Sequence, residues 1–189
     1  MPPNAKIIRP SVAVVILAGG KSSRMGSDKA KLQLGDISLL EHMQQILNNA
    51  NVQDIYINDQ YNIADVIANR GPLSGFHAAL CKFIGQYDFL IITPIDMPEL
   101  LPAIFTQLNH ASSKYNIVHF KNHILPLRIR VSDANIKIVT DILQKTTDFS
   151  VMNFIRKFDT LEIDDTGFDD KIFQNINTLK QWVRYHKSK

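Results

Sequence analysis

The 189-residue chain has the composition of an ordinary globular protein, with 45% hydrophobic and 21% charged residues, and it is long enough to bury a core. A formal net charge of +3, without any run of five or more Lys and Arg, argues against a nucleic-acid-binding surface. No stretch approaches the roughly 18 uninterrupted apolar residues of a membrane span, so no membrane partner is expected. The single cysteine, Cys81, excludes an internal disulfide and a cysteine-rich zinc site, and it favours a cytoplasmic location. We predict that Cys81 is a helix-packing residue.

The first eleven residues are predicted to form a loose leader. They contain three prolines around Lys6 and Arg9 and lack the apolar stretch that a secretory signal requires. Residues 12–189 are then predicted to form one domain.

Strand and helix patterns alternate through the first half of the chain. The β-branched and apolar run 12–16 predicts a strand buried on both faces, which is typical of a parallel sheet. Apolar residues at helical spacing follow over 39–47, with Ser38 as the predicted N-cap. Further elements are predicted at 55–57 (strand), 76–83 (helix) and 89–93 (strand). This alternation indicates an α/β fold with a doubly wound sheet.

The pattern changes after residue 116 to that of an α+β appendage. Strands are predicted at 117–120, 124–131 and 160–163, and helices at 134–143, 151–158 and 178–185. Trp182 is predicted to pack the last helix onto the sheet.

Residues 17–29, LAGGKSSRMGSDK, follow the first strand and have the composition of a phosphate-binding loop. In open parallel sheets, ligands bind beyond the carboxyl ends of the strands, which is where Gly19 and Gly20 fall. Glycines let backbone amides approach a phosphate, while Arg24 and Lys29 supply positive charge. The Walker A and GxGxxG patterns both fail, because glycines that they require are absent. The loop therefore predicts a nucleoside triphosphate site of another kind.

Asp96 follows the predicted strand 89–93 and stands between Pro94 and Pro98, which stiffen the backbone. A rigid carboxylate at that edge of a sheet can hold Mg²⁺ together with substrate phosphates. From its position alone, Asp96 could equally cap a helix that begins near Glu99. The histidines do not predict a second metal site, because His119 and His123 are four apart in strand-like sequence.

The LAGGKSSRMGSDK segment resembles the signature loop of the molybdenum cofactor guanylyltransferases, within the wider LAGGxxxRM(G)xxK group of nucleotidyltransferases. Further similarities are GPLSG at 71–75, the D-x-P segment at Asp96 and NINT at 175–178. The resemblance implies a Rossmann-like, doubly wound, mostly parallel sheet flanked by helices, of the nucleotide-diphospho-sugar transferase type. It also implies that residues 12–189 form a single nucleotidyltransferase domain.

The resemblance implies a role for each matching residue. Arg24 contacts phosphates, Lys29 takes part in nucleotidyl transfer and Asp96 binds Mg²⁺, so these three are the implied catalytic residues. The implied nucleotide-binding residues are Leu17, Ala18, Gly19, Gly20, Lys29, Asn58, Gly71, Pro72, Leu73 and Gly75. Residues implied to lie near the pterin substrate are Asn175, Asn177 and Thr178. Without the resemblance, Asn58 would be a turn former and Asn177 or Thr178 a helix cap.

The linker before GPLSG departs from the family pattern because it is short. Family members usually carry an aspartate there that helps to recognise guanine. Only Asp65 and Asn69 are candidates for that role in this chain.

The implied reaction transfers GMP from Mg-GTP to the terminal phosphate of molybdopterin and releases pyrophosphate. GTP and molybdopterin are the implied substrates, Mg²⁺ the implied cofactor, and cofactor-biosynthesis proteins or molybdoenzymes the implied transient partners. A CTP-dependent molybdopterin cytidylyltransferase is the nearest alternative. Gly19 and Met97 favour guanine, because cytidine-specific relatives usually read LAAG and D-Q-P at these places. A sugar-phosphate nucleotidyltransferase and a non-catalytic nucleotide-binding adaptor stay open as further alternatives.

Overall fold

A computed structural model describes residues 11–19, 30 and 32–187. The architecture is a six-stranded mixed sheet with the strand order β4-β1-β5-β7-β6-β8. Its strands are β1 (Val12–Leu17), β4 (Ile55–Asn58), β5 (Phe89–Pro94), β6 (Ile117–Phe120), β7 (His123–Arg130) and β8 (Thr160–Ile163). A separate antiparallel hairpin consists of β2 (Gln33–Leu34) and β3 (Ile37–Ser38). Within these described ranges, no helix has the length and apolar character needed to cross a membrane.

Five strands of the main sheet run in one direction, and β7 runs against them. β1 pairs in parallel with β4 and β5, and β6 pairs in parallel with β8. β7 is antiparallel to both of its neighbours, β5 and β6. The mostly parallel sheet confirms the predicted fold class. The expected α+β appendage is wrong, because β7 hydrogen-bonds directly to β5 and so joins the later strands to the same sheet.

Helices cover both faces of the sheet. They are α1 (Leu39–Asn49), α2 (Pro72–Phe83), α3 (Pro102–His110), α4 (Asp133–Lys145), α5 (Val151–Ile155) and α6 (Leu179–Lys187). Ala13 and Val15 of β1 pack into one apolar cluster with α2, α4 and α5. Val14 and Ile16 pack into the other with α1, α3 and the buried Trp182 of α6. The run 12–16 is therefore buried on both faces, and Trp182 packs α6 onto the sheet as predicted.

Helix boundaries lie within two residues of the sequence patterns except at three places, one of which is the start of α3 at Pro102 instead of near Glu99. α1 begins after Ser38 as predicted, with Ser38 Oγ accepting from Glu41 N at 3.2 Å and Ser38 N donating to Glu41 Oε2 at 2.7 Å. α2 begins at Pro72, four residues before the predicted start, because proline at the first helical position has a suitable φ and needs no donor. α5 ends at Ile155, short of the predicted 158. Cys81 of α2 is exposed, so its predicted packing role is wrong.

Candidate active site

The candidate site lies at the carboxyl ends of β1 and β5, where the chain changes direction across the sheet. From β1 the chain moves outward to β4 and then crosses back to β5 on the other side of β1. In a doubly wound sheet, such a switch point leaves a crevice that binds ligands. Leu17 is in register with Asn58 of β4 and with Pro94 of β5. The residues that follow these strands therefore lie close together at the carboxyl edge, where such a crevice is expected.

Asn58 holds the beginning of the predicted phosphate loop. Its carbonyl oxygen accepts from the backbone N–H of Ala18 at 3.0 Å and from that of Gly19 at 2.7 Å. A Cβ added at Gly19 would lie 3.3 Å from the same oxygen, so the close approach favours glycine. Residues 17–19 are thus fixed against β4 at the edge of the crevice.

The first turn of α2 completes a small cradle on the other side of Asn58. A Cβ added at Gly75 would overlap Asn58 Oδ1 and come within 2.7 Å of Leu17 Cδ2. Gly71, just before the helix, has a φ of +65°. We call Leu17, Ala18, Gly19, Asn58 and Gly75 the glycine cradle. The structure brings these five predicted residues together, while the Leu73 side chain lies in the core.

The Asn58 side chain is 3% exposed and links the glycine cradle to the short linker before α2. Its Nδ2 donates to Ile63 O at 2.7 Å and to Asp65 Oδ1 at 3.0 Å. Asn58 therefore both stabilises the turn and supports the cradle. Asp65 is half-buried beside it, whereas Asn69 is exposed with a φ of +64°. Of the two candidate base-recognition residues, the structure places Asp65 against the cradle.

Asp96 lies two residues beyond β5 and is 8% exposed. The preceding Ile95 donates its N–H to Leu17 O at 3.2 Å, so this segment follows the end of β1. The next helix, α3, begins at Pro102, and its N-cap is Leu101. Asp96 is therefore not the helix cap that its position allowed. It is a nearly buried carboxylate, and the residue before it is bonded to Leu17 of the cradle.

The predicted pterin segment contacts Asp96. Asn175 Nδ2 donates to Asp96 Oδ1 at 3.0 Å, and Ile176 N donates to Asp96 O at 2.8 Å. Thr178 Oγ1 accepts from Gln181 N at 3.2 Å, which confirms the helix-cap interpretation for this residue. The contact between Asn175 and Asp96 was not predicted, because 79 residues separate them and no spacing rule connects them.

The Asp96 carboxylate is one hard oxygen ligand, of the kind that a small hard cation combines with substrate oxygens. Among the residues that the structure describes, no group of three or more His, Cys, Asp or Glu is arranged to hold a metal ion. Mg²⁺ commonly takes one or two carboxylates and completes its shell with phosphate oxygens and water. A carboxylate already fixed by an amide donor meets that requirement.

Three predicted residues, Gly20, Arg24 and Lys29, lie outside the described ranges. Their predicted contacts with phosphates stay predictions.

Comparison with known proteins assigns the class. Residues 14–134 match the model of the MobA-like NTP transferase domain. A molybdenum cofactor guanylyltransferase of Xanthomonas euvesicatoria is 32% identical over 176 residues, which cover 90% of this chain and 92% of that protein. A probable molybdenum cofactor guanylyltransferase of Pelotomaculum thermopropionicum is 27% identical over 188 residues, with 90% and 89% covered.

Solved structures show the same fold. Molybdopterin-guanine dinucleotide biosynthesis protein A from Archaeoglobus fulgidus superposes with a TM-score of 0.65 at 18% identity, covering 93% of this chain and 97% of that one. Rv0371c of Mycobacterium tuberculosis, solved in complex with manganese, gives a TM-score of 0.64 at 13% identity, with 95% and 100% covered.

The sheet has the fold of the solved structures on which it superposes, and the match to the family model defines the class as a nucleotidyltransferase. Within that class, the chain belongs to the MobA-like NTP transferase family.

Proposed function

We propose that this protein is a molybdenum cofactor guanylyltransferase that transfers GMP from Mg-GTP to the terminal phosphate of molybdopterin. The products are molybdopterin guanine dinucleotide and pyrophosphate. The observation that carries the proposal is the placement of Asp96 at the switch point, beside the glycine cradle. The names of the relatives along most of the chain support the choice of nucleotide and acceptor.

In the proposed reaction, the chain binds and orients two anions. An oxygen of the acceptor phosphate attacks the α-phosphorus of GTP, and the bond from that phosphorus to the bridging oxygen of the β-phosphate breaks. The attacking oxygen is already anionic, so no catalytic base is required. Positioning and charge neutralisation therefore account for the catalysis.

Each part of the site contributes to that task. The glycines of the cradle let the start of the loop and the first turn of α2 pack closely on Asn58, and Arg24 and Lys29 supply positive charge to the phosphates. Asp96 would hold Mg²⁺, which neutralises charge on phosphate oxygens when bound. Asn175 fixes one oxygen of that carboxylate before the substrate arrives.

Asp65 is the proposed guanine-recognition residue. One of its oxygens is bonded to Asn58 at 3.0 Å, and the half-buried carboxylate lies beside the glycine cradle. Guanine presents two neighbouring N–H donors on its pairing edge, which a carboxylate can accept together. Among the described residues, Asn69 has no hydrogen bond to the cradle.

The proposal places this chemistry in the cytoplasm. Cys81 is an exposed free thiol, which suits a reducing compartment. Transient contacts with proteins that supply or use the molybdenum cofactor belong to the same proposal.

The first experiment is a thermal-shift panel with GTP, CTP, UTP and ATP, each with and without Mg²⁺, followed by an assay of pyrophosphate release with molybdopterin. Selective stabilisation by Mg-GTP is expected, with about 2.7 kcal/mol at a hundredfold excess over Kd. A preference for CTP would instead indicate a cytidylyltransferase. Binding without pyrophosphate release would indicate a nucleotide-binding adaptor.

Asp96→Asn tests the metal carboxylate within the same assay. Turnover should fall by on the order of a hundredfold, because the charge that holds the metal is lost while the amide keeps the side-chain shape. Asp159→Asn, an exposed carboxylate at the opposite edge of the sheet, is the matched control and should keep wild-type turnover. Wild-type turnover in Asp96→Asn would contradict the assigned role.

A further inference from the structure

The segment 164–178 crosses the carboxyl edge of the sheet from β8 to Asp96, and we call it the C-terminal strap. Its contacts follow the order of the strands. Phe168 packs on Phe120 at the end of β6, with ring centroids 5.8 Å apart. Phe173 then stacks on His123 at the start of β7, and Ile176 bonds to Asp96 beyond β5. The C-terminal strap thus connects the outer edge of the sheet to the candidate metal carboxylate.

His123 makes the central contact of the C-terminal strap. Its ring lies parallel to that of Phe173, with centroids 3.9 Å apart and an interplanar angle of 10°. Its Nε2 lies 3.8 Å from Asp165 Oδ2 and 3.6 Å from Asp170 Oδ1, so two of the four carboxylates of the strap lie beside the imidazole. The side chain of His123 is only 19% exposed. One residue of β7 therefore touches the strap at three positions.

Asn122, in the turn between β6 and β7, reinforces the contact between His123 and the C-terminal strap. Asn122 N donates to Asp165 Oδ2 at 3.0 Å, and Asn122 Nδ2 donates to Asp165 Oδ1 at 3.2 Å. Asp165 is consequently fixed by the backbone of the β6–β7 turn, and its carboxylate stays beside His123. The first half of the C-terminal strap is thus attached to the sheet before the chain reaches Phe173.

We propose that His123 is a positioning residue of the transfer reaction: by holding Phe173 it sets the C-terminal strap, and through Asn175 and Ile176 it sets the orientation of Asp96. The inference rests on the proposed function. Phe173 stands two residues before Asn175, so the backbone between them has little freedom to absorb a displacement. Phe173 also packs on Phe120, with ring centroids 5.4 Å apart, so loss of the imidazole should loosen the strap and weaken both hydrogen bonds on Asp96 without releasing Phe173. His123 touches neither the glycine cradle nor Asp65, so nucleotide affinity should not change.

The attachment of the C-terminal strap to Asp96 can be measured as the hydrogen-exchange rate of the Ile176 amide. NMR monitors this rate in the absence of substrate. The amide is bonded to Asp96 O at 2.8 Å, and its residue is buried. In His123→Ala and His123→Gln we expect about tenfold faster exchange of this amide. His123→Phe retains a ring over Phe173 and should restore most of the protection. His110→Ala, which removes an exposed imidazole from the end of α3, is the matched control.

Turnover then tests the functional consequence. His123→Ala and His123→Gln should raise the half-saturating Mg²⁺ concentration and lower kcat, while KM for GTP stays at the wild-type value. Should His123→Ala fail to fold, the comparison of His123→Gln with His123→Phe decides the matter. Unchanged exchange at Ile176 in a folded His123→Gln protein, or unchanged metal dependence despite faster exchange, would overturn the inference. Failure of the wild-type protein to release pyrophosphate would instead contradict the proposed function, and the exchange data would still show whether His123 holds the strap.

Discussion

Asn58 is the residue on which the two glycine-containing segments converge. Its carbonyl oxygen binds the backbone of residues 18 and 19, while its side-chain oxygen lies directly against Gly75. The position is at the end of an edge strand, yet the side chain is almost completely buried. Asn58 therefore fixes the first residues of the predicted phosphate loop. It also limits the size of the side chain that position 75, in the first turn of α2, can carry.

Gly75→Ala tests this close packing. The added methyl group would overlap Asn58 Oδ1 and crowd Leu17, so the free energy of unfolding should fall by about 1–3 kcal/mol and GTP affinity should fall with it. Urea unfolding and a GTP titration provide the two measurements. Gly167→Ala is the matched control, because a Cβ there would meet open space and its φ is not positive. Equal stability and affinity in both variants would show that the cradle tolerates a side chain.

Sequence patterns at the residue scale predicted the phosphate loop, but they did not predict the contacts that hold Asp96 and Phe173 in place. The adjacent glycines after a β-branched strand predicted a phosphate site, because that chemistry is encoded in consecutive positions. The support of Asp96 by Asn175, and of Phe173 by His123, joins positions far apart in the chain. No local pattern specifies such pairs, since they depend on how the strands are ordered in the sheet.

At the scale of elements, His77 joins α2 to α4 by a single side-chain hydrogen bond. Its Nε2 lies 2.9 Å from Thr140 Oγ1, and that hydroxyl donates to Ile136 O, so the imidazole nitrogen is the donor. His77 Nδ1 is buried and has no hydrogen-bond partner among the described residues. Burial lowers the pKa of His77 below its usual value, because a proton added at Nδ1 would be left without water or an acceptor.

The lowered pKa of His77 predicts a pH dependence of stability. The unfolded chain takes up a proton near pH 6.5, at about the ordinary pKa of histidine, whereas the folded chain does so only at lower pH. This contribution to stability is therefore complete above about pH 6.5 and is lost as the pH falls from there to the folded pKa. Urea unfolding at several pH values measures it.

His77→Gln should flatten that dependence, because glutamine can donate to Thr140 but does not titrate. His110→Gln controls for the removal of an exposed imidazole. The same pH dependence in wild type and His77→Gln would show that another group causes the acid sensitivity.

Element types could be predicted from periodicity more reliably than their directions and ends. The β-branched runs identified strands such as β1 and β6, because buried strands need apolar side chains on both faces. The reversal of β7 leaves no mark on periodicity, because β7 lies inside the sheet and is buried on both faces like its neighbours β5 and β6. The helix predicted from residue 76 instead begins inside GPLSG, because Pro72 is suited to the first helical position.

At the scale of the whole molecule, the candidate site lies at only one of the two ends of the parallel strands. The glycine cradle, Asp96 and the C-terminal strap all lie at the carboxyl edge. The opposite edge has a cavity, lined by the loop 50–54 together with residues of β1, β5 and α3. Concavity therefore does not identify the candidate site, which rests on the convergence of a carboxylate and closely packed glycines.

Hydrogen exchange with and without Mg-GTP tests whether the nucleotide binds at the carboxyl edge of the sheet. Nucleotide binding should slow exchange in peptides that cover residues 59–76 and 95–101, because these segments border the carboxyl-edge crevice. Peptides that cover the loop 50–54 should exchange at the same rate in both conditions. Protection confined to the loop 50–54 would place the nucleotide in the opposite cavity and contradict the site.

The bond between Asn175 and Asp96 closes a loop of 79 positions, which has a consequence for how the protein becomes active during synthesis. The residues of the glycine cradle all lie within the first 75 positions, but β1, which contains or directly precedes three of them, also pairs with β5. The proposed metal carboxylate receives its final orientation only when the C-terminal strap has docked. Pyrophosphate release would therefore report that the last elements of the chain are in place.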